Sequence, residues 1–216
     1  MAIALFSVAG FFISCNQTAS KKNVPQINDS LIDSNKTEKI SERKPLKKIT
    51  IEDALNEANE NFFYNGEPIS PELVFEFIPW LSDGSAVTIT VDVVAAYQTN
   101  EYYENIKYED GIARVFHGED IYNYKYLGKL KNGIHVVDFF QGGSGSGIFE
   151  TLLFISFKIR KNFDDSEKLS DQLLMTLEKS YIVGDRRNAK ITLNKNSVII
   201  DKPINSDSAV VINFLK

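Results

Sequence analysis

Six consecutive residues, Gly142-Gly143-Ser144-Gly145-Ser146-Gly147, form the stretch best suited to holding a small anion. Successive N–H groups without side-chain cover can make an anion nest, and glycine lets a ligand approach the backbone closely. The named versions of such a loop are absent. Ser144 lacks a glycine two residues later and Ser146 lacks one two residues earlier, so there is no nucleophile elbow. Gly142 and Gly147 have the outer spacing of a phosphate loop, but Ile148 stands where its lysine belongs. A ligand loop built on Gly143, Ser144 and Gly145 and a mobile link between two strands have the same composition.

The chain has two histidines and one cysteine, so neither a disulfide framework nor a Cys/His zinc spacing can be written, and no cofactor or metal is expected. His135 lies in an apolar, aromatic stretch where burial would lower its pKa. A catalytic base and a core histidine with one hydrogen bond both fit that setting. His117 stands beside Gly118-Glu119-Asp120 in a turn, where a metal site and an exposed polar loop are the two readings. Seven of the nine tyrosines lie between positions 97 and 126; on a concave sheet, Tyr124 and Tyr126 among them could stack on sugars or peptide side chains. Tyrosine is equally an ordinary strand former. Glu101, Glu104, Glu109, Asp110, Glu119 and Asp120 accompany them without a spacing that singles out a carboxylate pair. Asp164-Asp165-Ser166-Glu167 lacks the alternation of an EF-hand loop.

These residues must be positioned by the elements around them. Thr50 and Asp53 make a capping-box-like start, after which Ile51, Ala54, Leu55, Ala58 and Phe62 recur at helical spacing until Asn65-Gly66. Ser70-Pro71-Glu72 opens a second short helix carrying Leu73, Val74, Phe77 and Ile78. Trp80 and Leu81 are expected to pack under that corner. From Ala86 the period becomes two, which predicts a strand through Tyr97. Asp110-Gly111 and Asn132-Gly133 each fit a two-residue hairpin turn. With Lys131 opposite Ile134, Leu130 faces His135 and Tyr126 faces Phe139, while Tyr124, Val137 and His135 share one side. Residues 148–160 read as a long strand with Glu150 mostly outward, although Leu152 and Phe154 on that side call for cover on both faces. Further strands are expected at 172–183, 189–193, 197–201 and 208–215. The predicted fold is mainly β (α+β): an antiparallel meander forming a sandwich or a curled, barrel-like sheet, with one or two N-terminal helices.

That fold occupies residues 49–216. Of the 24 Lys and Arg against 29 Asp and Glu in the chain, residues 16–48 hold eight and four, so 16 and 25 remain and the domain carries −9. Such a balance argues against a nucleic-acid partner, which needs a concentrated basic face. Residues 16–48 have no aromatic and no glycine and are rich in Lys, Asn, Ser, Asp and Glu, a composition too polar to order itself. As a flexible tether they would span roughly 30 Å root-mean-square, using about 5–6 Å times the square root of the length. Ahead of them, residues 2–14 are uncharged and too few to cross a hydrocarbon core of about 30 Å as a helix. They fit the apolar region of an export signal.

That run ends in Phe12-Ile13-Ser14-Cys15, which resembles the lipobox of bacterial lipoproteins. Phe12 stands where leucine is usual, and no Lys or Arg precedes the apolar run, as a start upstream of Met1 would explain. The resemblance implies a signal peptide at 1–14, acylation of Cys15 with diacylglycerol and palmitate, and a lipid-anchored tether at 15–48. It also implies export to the cell envelope, at the outer membrane or facing the periplasm, with the membrane as a partner through the lipid on Cys15. The expected role is a non-catalytic module that binds an envelope protein, a glycan or a small ligand, an inhibitor-type role included. His135, Tyr124, Tyr126, Gly143, Ser144 and Gly145 are the candidate contacts. The alternative is an envelope hydrolase that uses His135 with nearby carboxylates.

Overall fold

A computed structural model of the chain describes residues 49–78, 86–96, 105–143, 147–163, 167–185 and 189–214, with backbone alone for 94–96 and His117. Helix α1 runs Ile51–Asn61. Its N-cap Thr50 accepts the Asp53 N–H at 3.1 Å, as the capping pattern requires, and Glu52 and Asp53 complement the N-terminal dipole. The helix stops at Phe62, which adopts the left-handed conformation and donates its N–H to the Ala58 carbonyl. The Asn65-Gly66 pair, both at positive φ, does not end the helix. It turns a small hairpin of β1 (Phe63–Tyr64) and β2 (Glu67–Pro68). Helix α2 (Pro71–Phe75) begins with proline in its first turn.

The strand expected from Ala86 forms but stops at Thr90. Strand β3 covers only Thr88–Thr90, and Val91–Ala96 wind into helix α3 despite their β-branched run. The reason is tertiary: the Asp92 carboxylate in its first turn accepts the Leu173 N–H at 2.9 Å, and Val91 is fully buried. Trp80, Leu81 and Tyr97 lie outside the described residues.

Strands β4 (Lys107–Glu109), β5 (Ile112–His117), β6 (Asp120–Lys129), β7 (His135–Gly142), β8 (Ile148–Phe163) and β9 (Leu169–Asp185) form an antiparallel meander, and β3 closes its far edge against β9. The order β3-β9-β8-β7-β6-β5-β4 leaves an open seven-stranded sheet. A separate antiparallel sheet contains β10 (Ile191–Leu193), β11 (Ser197–Ile200) and β12 (Val210–Asn213).

Period-two alternation in β7 and β8 sorts their side chains into two cores. Val137, Phe139, Leu153 and Ile155 pack with Ala54, Ala58, Phe62, Leu73 and Phe77 on the helix side. Val136, Leu152 and Phe154 pack with Val198, Ile200 and Ile212 of the small sheet on the outer side. Helix α1 lies against β8 and β9, and α2 against β5 and β6. The cover that Leu152 and Phe154 demanded is therefore the three-stranded sheet.

The Asp110-Gly111 hairpin has the expected register, Glu109 opposite Ile112. The Asn132-Gly133 hairpin does not. Leu130 and Ile134 flank a three-residue loop in which Gly133 has φ 88°, so Lys129 rather than Leu130 faces His135. An irregularity between Tyr126 and Gly128 then shifts the register once more, pairing Tyr126 with Val137 and Tyr124 with Phe139. Two one-residue shifts cancel in facing, and Tyr124, Tyr126, Val137 and His135 end on one side.

Candidate functional site

His135 opens β7 beneath the last turn of α1 and has no exposed surface. Tyr126 Oη lies 3.1 Å from its Nδ1, and Asn59 Oδ1 lies 3.2 Å from its Nε2. An amide oxygen only accepts, so Nε2 carries the proton and Nδ1 accepts from the Tyr126 hydroxyl. Burial and the Lys129 charge push the imidazole down to about 4, and burial raises the Tyr126 phenol. Phe62 and Phe157 pack on the ring at 6.0 and 5.1 Å between centroids. Both ring nitrogens are engaged by neutral groups, so this neutral histidine pins α1 to the sheet and is not presented to a substrate.

Tyr124 is likewise core. It is 1 % exposed, stacks edge-on against Phe62 at 5.5 Å and donates its hydroxyl to the Ile69 carbonyl at 2.6 Å. Gly143, exposed, follows the opposite end of β7. It stands eight positions along the chain from His135, roughly 27 Å at about 3.4 Å per step. His135 and Gly143 therefore do not line one cavity, and Tyr124 is closed off in the core. A Cβ at Gly143 would stand 2.7 Å from Asp120 Oδ1, so a carboxylate abuts the loop at this point and disfavours an anion there. Ser144 and Gly145 lie outside the described residues, as do Cys15 and the segment Asp164-Asp165-Ser166.

The outer face of the sheet carries the groups that sequence reasoning missed. Pairing from strand to strand builds a row Lys107–Arg114–Asn123–Phe140–Glu150 and beside it a row Glu109–Ile112–Lys125–Asp138–Leu152. A third row is Phe116–Ile121–Gly142–Ile148. The small sheet covers the β7–β9 half. There Asp138 and Glu150 are buried, 7 % and 2 % exposed, so Glu150 is not outward. Asp138 Oδ1 has no hydrogen-bond partner. Burial, the adjacent Glu150 charge and a hydrogen bond from one carboxyl to the other raise Asp138 to about 8, against the opposing pull of Lys125. Two carboxyls in contact cannot both ionise cheaply, so at neutral pH the pair holds one proton.

Over β4–β6 no described element covers this face. Phe116 and Ile148 are 46 % and 47 % exposed, Lys107 and Lys125 are exposed, and Ile112, Arg114, Ile121, Asn123 and Phe140 are half-buried. Arg114 Nε donates to Asn123 Oδ1 at 2.7 Å, which fixes the guanidinium plane, and Lys107 Nζ stands 5.4 Å from the centre of the Phe116 ring. The sequence did contain one signal for the buried acid: Asp138 interrupts the apolar run Val136-Val137-Asp138-Phe139-Phe140. The cationic rows depend on pairing five strands in register, which no local pattern encodes.

Searches against protein-family models, curated proteins and solved structures find no match to this chain.

Proposed function

We propose that the chain is a lipid-anchored envelope protein whose folded domain acts as a non-catalytic binding module, with the uncovered β4–β6 half of the outer sheet face as its contact surface. The observation that carries the reading is the pairing of exposed apolar groups, Phe116 on β5 and Ile148 at the exposed start of β8, with fixed and exposed cations on one face of an acidic domain. Arginine and aromatic residues are enriched at protein contact surfaces. The anchor rests on Phe12-Ile13-Ser14-Cys15 and the polar tether behind it. The burial and neutral partners of His135 give the hydrolase alternative no support.

A photo-crosslinking residue placed at position 116 in cells tests the contact surface, with Glu52 on α1 as the control position. A discrete adduct from 116 alone is expected. Adducts no different from those at 52 would refute the assignment of this face.

A further inference from the structure

The uncovered half-face contains an arrangement that folding alone does not favour. Lys107 and Arg114 are directly opposite on neighbouring strands, and like charges so placed destabilise a sheet. Lys125 is diagonal to Arg114, because its direct partner is Ile112. None of the three cations forms an ion pair among the described residues, although the domain has nine more acids than bases. Glu109 pairs with neither Arg114 nor Lys107, and Asp138, directly opposite Lys125 on β7, is buried beside Glu150 and makes no ion pair with that lysine among the described residues. Asn123 meanwhile accepts from the Arg114 Nε–H, and no other hydrogen bond of the guanidinium occurs among the described residues. A guanidinium held in one plane suits the two oxygens of a carboxylate, and the apolar row Phe116–Ile121–Ile148 lies alongside.

We propose that Arg114, flanked by Lys107 and Lys125, receives a carboxylate of an acidic, partly apolar segment of a partner protein, whose apolar side chains lie on Phe116, Ile121 and Ile148. This names the ligand class for the contact surface proposed above and rests on that reading. A protein segment fits better than a bilayer because the apolar residues lie within a sheet face rather than on a protruding loop. The unrelieved charge pair is then a binding feature retained at the expense of stability.

The test uses the full chain carrying Cys15→Ala, with the probe peptide acetyl-Leu-Glu-Leu-Glu-Leu-amide, its Glu-to-Gln counterpart, and vesicles of phosphatidylglycerol or of phosphatidylcholine. Binding is read from the NMR shift of the Arg114 side-chain Nε–H and the backbone amides of 107, 114, 116, 123 and 125. The glutamate peptide should shift these signals saturably, bind about tenfold more tightly than the glutamine peptide, and weaken as salt rises. Arg114→Gln and Lys125→Gln should each reduce its affinity about tenfold, while Arg114→Gln leaves the melting temperature unchanged or raised because it removes the like-charge pair. Equal binding of both peptides, or no shift with either, would overturn the proposal. So would an unfolded or markedly destabilised Arg114→Gln chain, which would make the arginine a structural group. An Arg114-dependent response to phosphatidylglycerol vesicles alone would overturn it in favour of a lipid surface. If crosslinking from position 116 succeeds and the peptides fail, the ligand class falls and the contact surface stands.

Discussion

Replacing Asp138 by asparagine should stabilise the protein at neutral pH, against the ordinary expectation for a buried polar residue. In the folded chain this carboxyl is raised to about 8; in the unfolded chain it titrates near its ordinary value of about 3.9. Folding therefore takes up a proton between those values. A raised folded pKa gives stability that is full below about pH 4 and is lost as pH rises to about 8, at about 1.4 kcal/mol per pH unit. At pH 7 some three units have been lost, about 4 kcal/mol. The amide introduced by Asp138→Asn would need no proton and would donate to Glu150 as the protonated acid does. The assay is urea unfolding of parent and variant from pH 4 to pH 8, in which groups that do not interact with Asp138 cancel in the difference. The variant should match the parent near pH 4 and gain progressively to about 4 kcal/mol at pH 7, or roughly 10 °C in Tm at about 2–4 °C per kcal/mol. A difference that does not vary with pH, or a variant less stable than the parent at pH 7, would refute the shared-proton assignment.

His135 has the opposite sign: its folded pKa is depressed to about 4, so its contribution is full above about pH 6.5 and is lost as pH falls towards 4, by about 3 kcal/mol. The two slopes offset each other between pH 4 and 6.5, and Asp138→Asn should expose the acid limb in the same urea series; His135→Gln should remove it. Tyr124→Phe strips the donor from the buried Ile69 carbonyl and should cost about 1–3 kcal/mol in chemical denaturation. Gly128→Ala puts a Cβ at φ 137° and 3.3 Å from Leu193 Cδ2, which should lower Tm measurably, whereas alanine at exposed Glu60 should not.

Much of the architecture was legible because strong local signals agreed with the tertiary fold. Thr50 and Asp53 announce α1, Asp110-Gly111 fixes its hairpin, and Leu152 and Phe154 on the outer side of β8 require a second layer. Local signals failed where a distant group decided. Val91–Ala96 read as strand by period-two alternation, but the Asp92 carboxylate is held by Leu173, 81 residues away, and the segment coils. Asn132-Gly133 read as a two-residue turn, but the chain uses three residues and restores its facing near Gly128, whose φ favours glycine. At the candidate site, burial around His135 was readable from its apolar neighbours, but its partner Asn59 lies on α1 and could not be inferred from strand register. Arg114, Asn123 and Lys125 looked like ordinary outward strand residues, and only the stacking of β4, β5 and β6 sets them beside Phe116.

The proposed anchor would hold the acidic domain at a membrane through one sulfur, that of Cys15. Intact mass analysis of the mature protein from its cell envelope is the most direct test. The account predicts a chain beginning at Cys15 and carrying the added mass of diacylglycerol, with palmitate label lost in Cys15→Ala. A chain retaining Met1 with an unmodified Cys15 thiol would contradict it.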